Sequence, residues 1–197
     1  RYNIYVDDDA PELADTAVST LITSLNDVPI VAERAMWWPG PAPANWLEAH
    51  AAPASRTLAR RWVLPPSVVM PSGANDFLLL ANPGEAAGTA RLTLSAANVL
   101  VERSYALAPR SRTNVWVNLE FPFVTGQRVM ASVEADVPIV LERAEYWQAE
   151  GVAWEGGTAT RATPAPAPTV IDGEDTFVEA TGANRRASFD EVAPGTH

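Results

Sequence analysis

The chain has 197 residues, no cysteine and a formal net charge of −10, and all 14 of its cationic side chains are arginine. It therefore lacks disulfide staples, thiolate metal sites and a cysteine nucleophile, while its length suffices for one large or two small domains with cores of their own. The acidic balance excludes the nucleic-acid backbone, where affinity comes from clustered Lys and Arg displacing counterions. It also disfavours anionic lipid, and no apolar run reaches the roughly 20 residues that span a bilayer.

The chain opens at Arg1 without an initiator Met or a leader pattern, which reads as a processed chain or a fragment. Arginine in place of lysine, with abundant Ala, Pro and Val, points to GC-rich bacterial coding. In chain order, short runs rich in β-branched and aromatic residues occur at 4–6, 18–23, 28–35, 77–80, 90–94, 115–117, 129–133 and 137–142, punctuated by Gly, Pro, Asn and Asp. That is the pattern of strands and turns. Asp7-Asp8-Asp9, with Glu12 and Asp15, offers oxygen ligands of the calcium type but matches no EF-hand loop; a solvated acidic loop is expected. The one helical window, 44–52, is closed in by Pro43 and Pro53. Asn82-Pro83-Gly84 predicts a turn between the strands at 77–80 and 90–94, since Pro fixes φ and Gly accepts positive φ. Beyond them, prolines alternating with small residues predict an extended linker over 158–169.

One internal match stands out. Val28-Pro29-Ile30-Val31-Ala32-Glu33-Arg34-Ala35-Met36-Trp37-Trp38 recurs as Val137-Pro138-Ile139-Val140-Leu141-Glu142-Arg143-Ala144-Glu145-Tyr146-Trp147, with 8 of 11 positions identical at an offset of 137 − 28 = 109. Upstream, Arg1-Tyr2-Asn3-Ile4-Tyr5-Val6 resembles Arg112-Thr113-Asn114-Val115-Trp116-Val117 at an offset of 112 − 1 = 111, and downstream Trp46 mirrors Trp154. This period suits an immunoglobulin-sized sandwich. The expected fold is all-β: two antiparallel Ig-like β-sandwich units, the first incomplete at its N-terminus. Residues 1–55 form the second half of one unit, 56–157 a complete unit, and 170–197 a C-terminal tail or strand-donating segment. Half a sandwich exposes a sheet edge and an apolar face unless something covers it. Residues near 175–192 are one candidate cover, within the chain or by strand addition in a neighbouring subunit.

The elements V-P-I-V-x-E-R-A-x-[WY]-W, Phe77-Leu78-Leu79-Leu80-Ala81-Asn82-Pro83-Gly84 and Ala108-Pro109-Arg110-Ser111-Arg112 resemble the roughly 100-residue tandem repeats of unknown function in exported, cell-surface bacterial proteins. The resemblance covers residues 1–155. It implies export and a structural or adhesive role, and it carries over no catalytic residue.

Glu33-Arg34 and Glu142-Arg143 cannot line one site jointly, because adjacent strand residues point to opposite faces; one of each pair is expected to anchor a loop. Of seven tryptophans, Trp38, Trp147, Trp46 and Trp154 recur in register, as core anchors would. Trp37 and its counterpart Tyr146 are expected nearer the surface and form the candidate interaction surface. His50 and His197 are the only histidines, and no nucleophile elbow, zinc-protease motif or phosphate loop occurs. No enzyme, cofactor or metal is expected. The expected role is a structural or interaction protein of an extracellular, cell-surface or periplasmic assembly, with protein partners, as in a filament. The alternatives are an extrinsic accessory subunit of a membrane complex and a carbohydrate-binding module using Trp37 or Tyr146.

Overall fold

A computed structural model of the chain describes residues 1–14, 16–38, 48–149 and 152–167, with side chains described for all of these but 38, 48, 149 and 152–155. The chain divides into two units, 1–164 and 165–197, and of the second only residues 165–167 are described. Within the first unit the structure is an antiparallel β-sandwich, as its alternating apolar residues require.

In strand β3 (Ala59–Val68) Trp62 and Leu64 point inward, in β4 (Ala74–Asn82) Leu78 and Leu80, and in β5 (Gly88–Ala96) Ala90, Leu92 and Leu94. These residues are spaced by two, the period that places them on one face of a strand. Strands β6 (Val99–Leu107) and β7 (Ser111–Trp116) follow, then a single helical turn α2 (Val117–Glu120) and a 3₁₀ turn (Pro122–Val124) that bury Val117, Phe121 and Val124. The 22-residue strand β8 (Arg128–Ala149) comes next, then β9 (Val152–Arg161) and the two-residue β10 (Thr163–Pro164).

Strand β8 belongs to both layers. Its first part pairs with β3 on one side, Trp62 opposite Val133, and with β5 on the other, Leu92 opposite Val133. Its second part pairs with β4, Phe77 opposite Ala144, and with β9, Ala159 opposite Ala144. One layer thus runs β10-β3-β8-β5-β6 and the other β7-β4-β8-β9. Their inner faces bring Leu64, Leu92, Leu94 and Val133 against Leu78, Leu80, Val115 and Leu141 in one core. The stretches at 129–133 and 137–142, expected as two strands, are therefore one. The transfer between layers occurs at Val137-Pro138-Ile139, where pairing with β5 ends at Ala135 and pairing with β4 begins at Val140. Proline suits this corner because it has no N–H to contribute to a ladder.

At the β4–β5 turn, buried Asn82 donates from Nδ2 to the carbonyls of Ala86 (2.8 Å) and Ala108 (2.9 Å), and its Oδ1 accepts from the Gly84 amide (3.0 Å). One side chain thereby ties the expected turn to the loop leading into β7, which explains a buried amide.

The N-terminal part carries the same local code without the same pairing. The helical turn α1 (Val6–Asp9) and the 3₁₀ turn Pro11–Leu13 precede α2 and its 3₁₀ turn by the same offset that separates Arg1 from Arg112. Tyr5 has φ −97° and ψ 102°, Trp116 φ −85° and ψ 99°. The Tyr5 amide donates to Asp9 Oδ2 (2.9 Å), as the Trp116 amide does to Glu120 Oε1 (3.3 Å). Strand β1 (Glu33–Trp38) pairs with β2 (Glu48–Pro53), Trp37 opposite Ala49, as the second part of β8 pairs with β9.

Three expectations change. Residues 4–6, 18–23 and 28–32 are not strands: β7 and β8 are held by β3, β4 and β5, and none of those has an equivalent among the described residues before β2. A strand without a ladder leaves its backbone to water. The helical window 44–52 is a strand from Glu48 onward, since so short a stretch between prolines is too small for a stable helix and β1 offers a partner. Residues 158–161, expected to open the linker of 158–169, are strand instead, since each keeps an N–H for the ladder and prolines begin only at 164; residues 168–169 lie outside the described residues.

The consequence is measurable. Ile139→Ala, at a fully buried position, should cost about 2–5 kcal/mol by urea unfolding. Ile30→Ala, at the counterpart position where the side chain is 52% exposed, should cost less than about 0.5 kcal/mol.

Candidate functional site

Two features of the first unit can meet a partner: the exposed apolar face of residues 1–31, and a polar mouth at one end of the sandwich. The face follows directly from the missing ladder. Tyr2, Ile4, Leu21, Leu25, Val28 and Val31 are all exposed. Ile4 is 57% exposed, whereas its counterpart Val115 is fully buried; Leu13 and Val124 stand in the same relation. Large apolar side chains are thus exposed repeatedly along this segment.

Arginines hold this segment and the β1–β2 ribbon to the sandwich. Arg112 of β7 donates to the Val18 carbonyl, and Arg161 at the end of β9 donates to the carbonyls of Pro53 (2.6 Å) and Ala54 (3.1 Å). Arg34 lies 3.7 Å from Glu142, so the Arg of the first Glu-Arg pair meets the Glu of the second. Around them stand Tyr146, His50 and Phe77, the Tyr146 ring lying 6.4 Å from His50 and 6.1 Å from Phe77. Burial pulls the Arg112 guanidinium below the usual arginine range, and the Arg34 charge beside it adds to that. Burial also raises the Tyr146 hydroxyl, against the opposing pull of Arg34 and Arg112.

The two residues singled out as an interaction surface thus separate. Trp37 on β1 is 41% exposed, whereas Tyr146, in the ladder between Asn75 and Gly157, is part-buried among the arginines and rings just named. Trp147, expected as a core anchor, is 41% exposed instead; its indole covers Gly156, where a Cβ would collide with the ring. Asp9 of the acidic run is the acceptor for the Tyr5 amide.

The mouth lies at the open end of the core. Strands β4 and β8 place Leu80 opposite Leu141, Leu78 opposite Arg143, Asp76 opposite Glu145 and Ala74 opposite Trp147. Apolar layers therefore give way to a polar one. Asp76 is 3% exposed and Arg143 2%, with Asp76 Oδ1 at 3.4 Å from Arg143 Nε; Arg143 Nη1 donates to the Pro65 carbonyl (2.9 Å). Glu145 accepts from Ser67 Oγ. Met70, Gly73, Asn75 and Trp147 complete a cavity of about 360 Å³. Both Asp76 carboxylate oxygens are buried without a hydrogen-bond donor. Burial pushes the Asp76 carboxyl up to about 6 against the pull of Arg143, and the neighbouring Glu145 charge adds to the rise.

Where one residue of each Glu-Arg pair is expected to anchor a loop, Arg143 instead holds the Pro65 carbonyl within strand β3. Asp76 has no such mark, because nothing in Asn75-Asp76-Phe77 distinguishes this acid as inward-facing; the alternation with Leu78 and Leu80 is the one available signal. Among the described residues no group of three or more His, Cys, Asp or Glu is arranged to hold a metal, and no helix is long and apolar enough to cross a membrane.

No protein-family model matches the chain, and no curated protein matches it. Among solved structures, a crystal structure of Thermotoga maritima 1070 is similar over 54% of this chain and 95% of that chain, at 14% identity and a TM-score of 0.49. The Anabaena sensory rhodopsin transducer is similar over 43% of this chain and 85% of that chain, at 15% identity and a TM-score of 0.39.

Titration of Asp76 is a test of the mouth. Its folded pKa near 6 lies above the ordinary 3.8, so between about pH 4 and 6 the folded state binds more protons than the unfolded. Stability must then fall as pH rises through that window. Relative to Asp76→Asn, the wild-type melting temperature should decline from pH 4 to 6 and run parallel above pH 7. A difference curve that is flat, or rises, would refute the assignment.

Proposed function

We propose that the chain is a non-catalytic structural and interaction module of an extracellular or cell-envelope assembly, built of repeated sandwich units and joined to protein partners through the face of residues 1–31. The observation that carries this reading is the set of exposed Ile4, Leu13 and Ile30, whose counterparts Val115, Val124 and Ile139 are core residues. Burying such side chains supplies about 1.5–3 kcal/mol each, so a partner that covers them gains affinity from apolar area. Arg112 ties the segment to the sandwich through the Val18 carbonyl, a hydrogen bond that fixes direction more than it adds energy. Placement outside the cell rests on the resemblance of the V-P-I-V-x-E-R-A motif to exported repeats.

The carbohydrate alternative rests on Trp37, which is 41% exposed, since Tyr146 is part-buried beside His50 and Phe77.

The test is fractionation of source cells carrying the tagged chain, followed by native sizing. The protein should appear in the surface, periplasmic or secreted fraction, in a particle larger than the monomer. Ile4→Asp with Ile30→Asp should weaken that assembly at least about tenfold while moving the unfolding of the sandwich by less than about 0.5 kcal/mol. A cytosolic monomer sinks the reading.

A further inference from the structure

We propose that the face of residues 1–38 is closed by the opening half of a further sandwich unit, four strands equivalent to β3–β6, supplied by the same polypeptide directly ahead of Arg1. The inference deepens the proposed function and rests on its reading of this face as an interaction surface; it names the partner.

Three observations specify the occupant. The first is register: in the complete unit β7 pairs with β4, and β8 with β3, β4 and β5, over residues whose counterparts at 1–5 and 17–38 have no such partner strands among the described residues. Among the described residues strand β1 is paired on one edge only, with β2. In the complete unit the matching part of β8 has β9 on that side and β4 on the other. An equivalent of β4 therefore fits the open edge of β1.

The second is charge. Arg34 is the counterpart of Arg143 (143 − 34 = 109). Arg143 faces Asp76 of β4 and donates to the Pro65 carbonyl of β3, whereas Arg34 Nε and Nη2 are buried with no hydrogen-bond partner. Two buried guanidinium nitrogens without a partner, on a side chain whose Nη1 faces Glu142, call for an acceptor. Strands equivalent to β3 and β4 bring one carbonyl and one carboxylate to that spot.

The third is connectivity. Strand β6 ends at Leu107 and β7 begins at Ser111, leaving the short link Ala108-Pro109-Arg110. Arg1 stands at the register of Arg112 (112 − 1 = 111), so an equivalent of β6 ends only a few residues ahead of Arg1. A link that short favours a donor on the same polypeptide over one arriving from a second copy, whose own β3–β6 are already paired in its complete sandwich.

The experiment places residues 56–111 of this sequence ahead of Arg1 in the full chain and compares it with the unextended chain. The readouts are bis-ANS fluorescence, amide hydrogen exchange over 1–38 and sedimentation. Extension should cut dye binding several-fold and raise exchange protection over 1–6 and 17–38 by roughly 100-fold, with the chain monomeric. Asp76→Ala within the added segment should return part of the exchange near Arg34. Because Met36 stands where the complete unit has Glu145, the extension is also made with Met36→Glu. If neither extended chain gains protection, the proposal fails. It also fails if the unextended chain already protects residues 1–38, as a discrete dimer that makes a second copy the cover, or as a monomer that makes the chain's own tail the cover. An extended chain that closes but remains in the cytosol would sink the proposed function and leave this inference standing.

Discussion

The sandwich depends on one strand turning a corner. Because β8 serves both layers, the ladders of β3 and β5 on its first part and of β4 and β9 on its second are fixed by where it crosses. That point is held from inside by Trp62, 1% exposed, whose indole N–H donates to the carbonyls of Ala59 (3.0 Å) and Ile139 (3.1 Å). A buried indole N–H must be paired, and here the acceptors are the backbone of β3 and of the corner itself. The register of β3 against β8 skips between Ala59 and Arg61, at the same place. Pro138 eases the crossing, since a strand leaving one sheet for another would orphan an amide that proline does not have.

The polar layer at the mouth answers a second backbone problem. Pro65 and Pro66 interrupt β3, and its register against β8 skips again between Leu64 and Ser67. The Pro65 carbonyl loses its ladder donor and takes one from Arg143. Burying a guanidinium for this purpose requires a counter-charge, and Asp76 supplies it from β4. Desolvation of the acid outweighs the attraction, which is why its carboxyl titrates near 6 instead of at the ordinary 3.8. The pair therefore locates β4 against β3 more than it stabilises them. On the outer face, Glu134 joins Arg61 of β3 to Arg91 of β5 across β8; at that exposure the ion pairs contribute little beyond alignment.

What is legible in the sequence is what alternation and turns encode. The runs at 77–80 and 90–94, and the turn at Asn82-Pro83-Gly84, lie in strands and turn as expected, because each is determined by residues close in sequence. The strands expected at 4–6 and 18–23 do not form, since alternation says which face is apolar and not whether a neighbour is present to accept the ladder. Trp147 departs from its expected core place for a related reason: its register matches a core position, but it stands one layer beyond the apolar core, over Gly156. Asp76 and the join between Arg34 and Glu142 are illegible, because each depends on a contact between segments far apart in the chain.

Nearly the same short sequence thus occupies two environments in one chain. Its turns are autonomous: α1 and α2 have similar dihedrals at their N-caps and the same carboxylate-to-amide bond, formed within a single turn. Its strand character is not, because it depends on neighbours. Residues 4, 13 and 30 carry apolar side chains suited to a core that the described chain does not build around them. An isolated two-stranded ribbon such as β1–β2 is marginal in water. Its placement therefore draws on packing of β2 beside β9, on Arg161 and on the Arg34–Glu142 pair, the last two positioning more than they stabilise. Among the described residues, the apolar surface left open is where this segment can still gain free energy by burial.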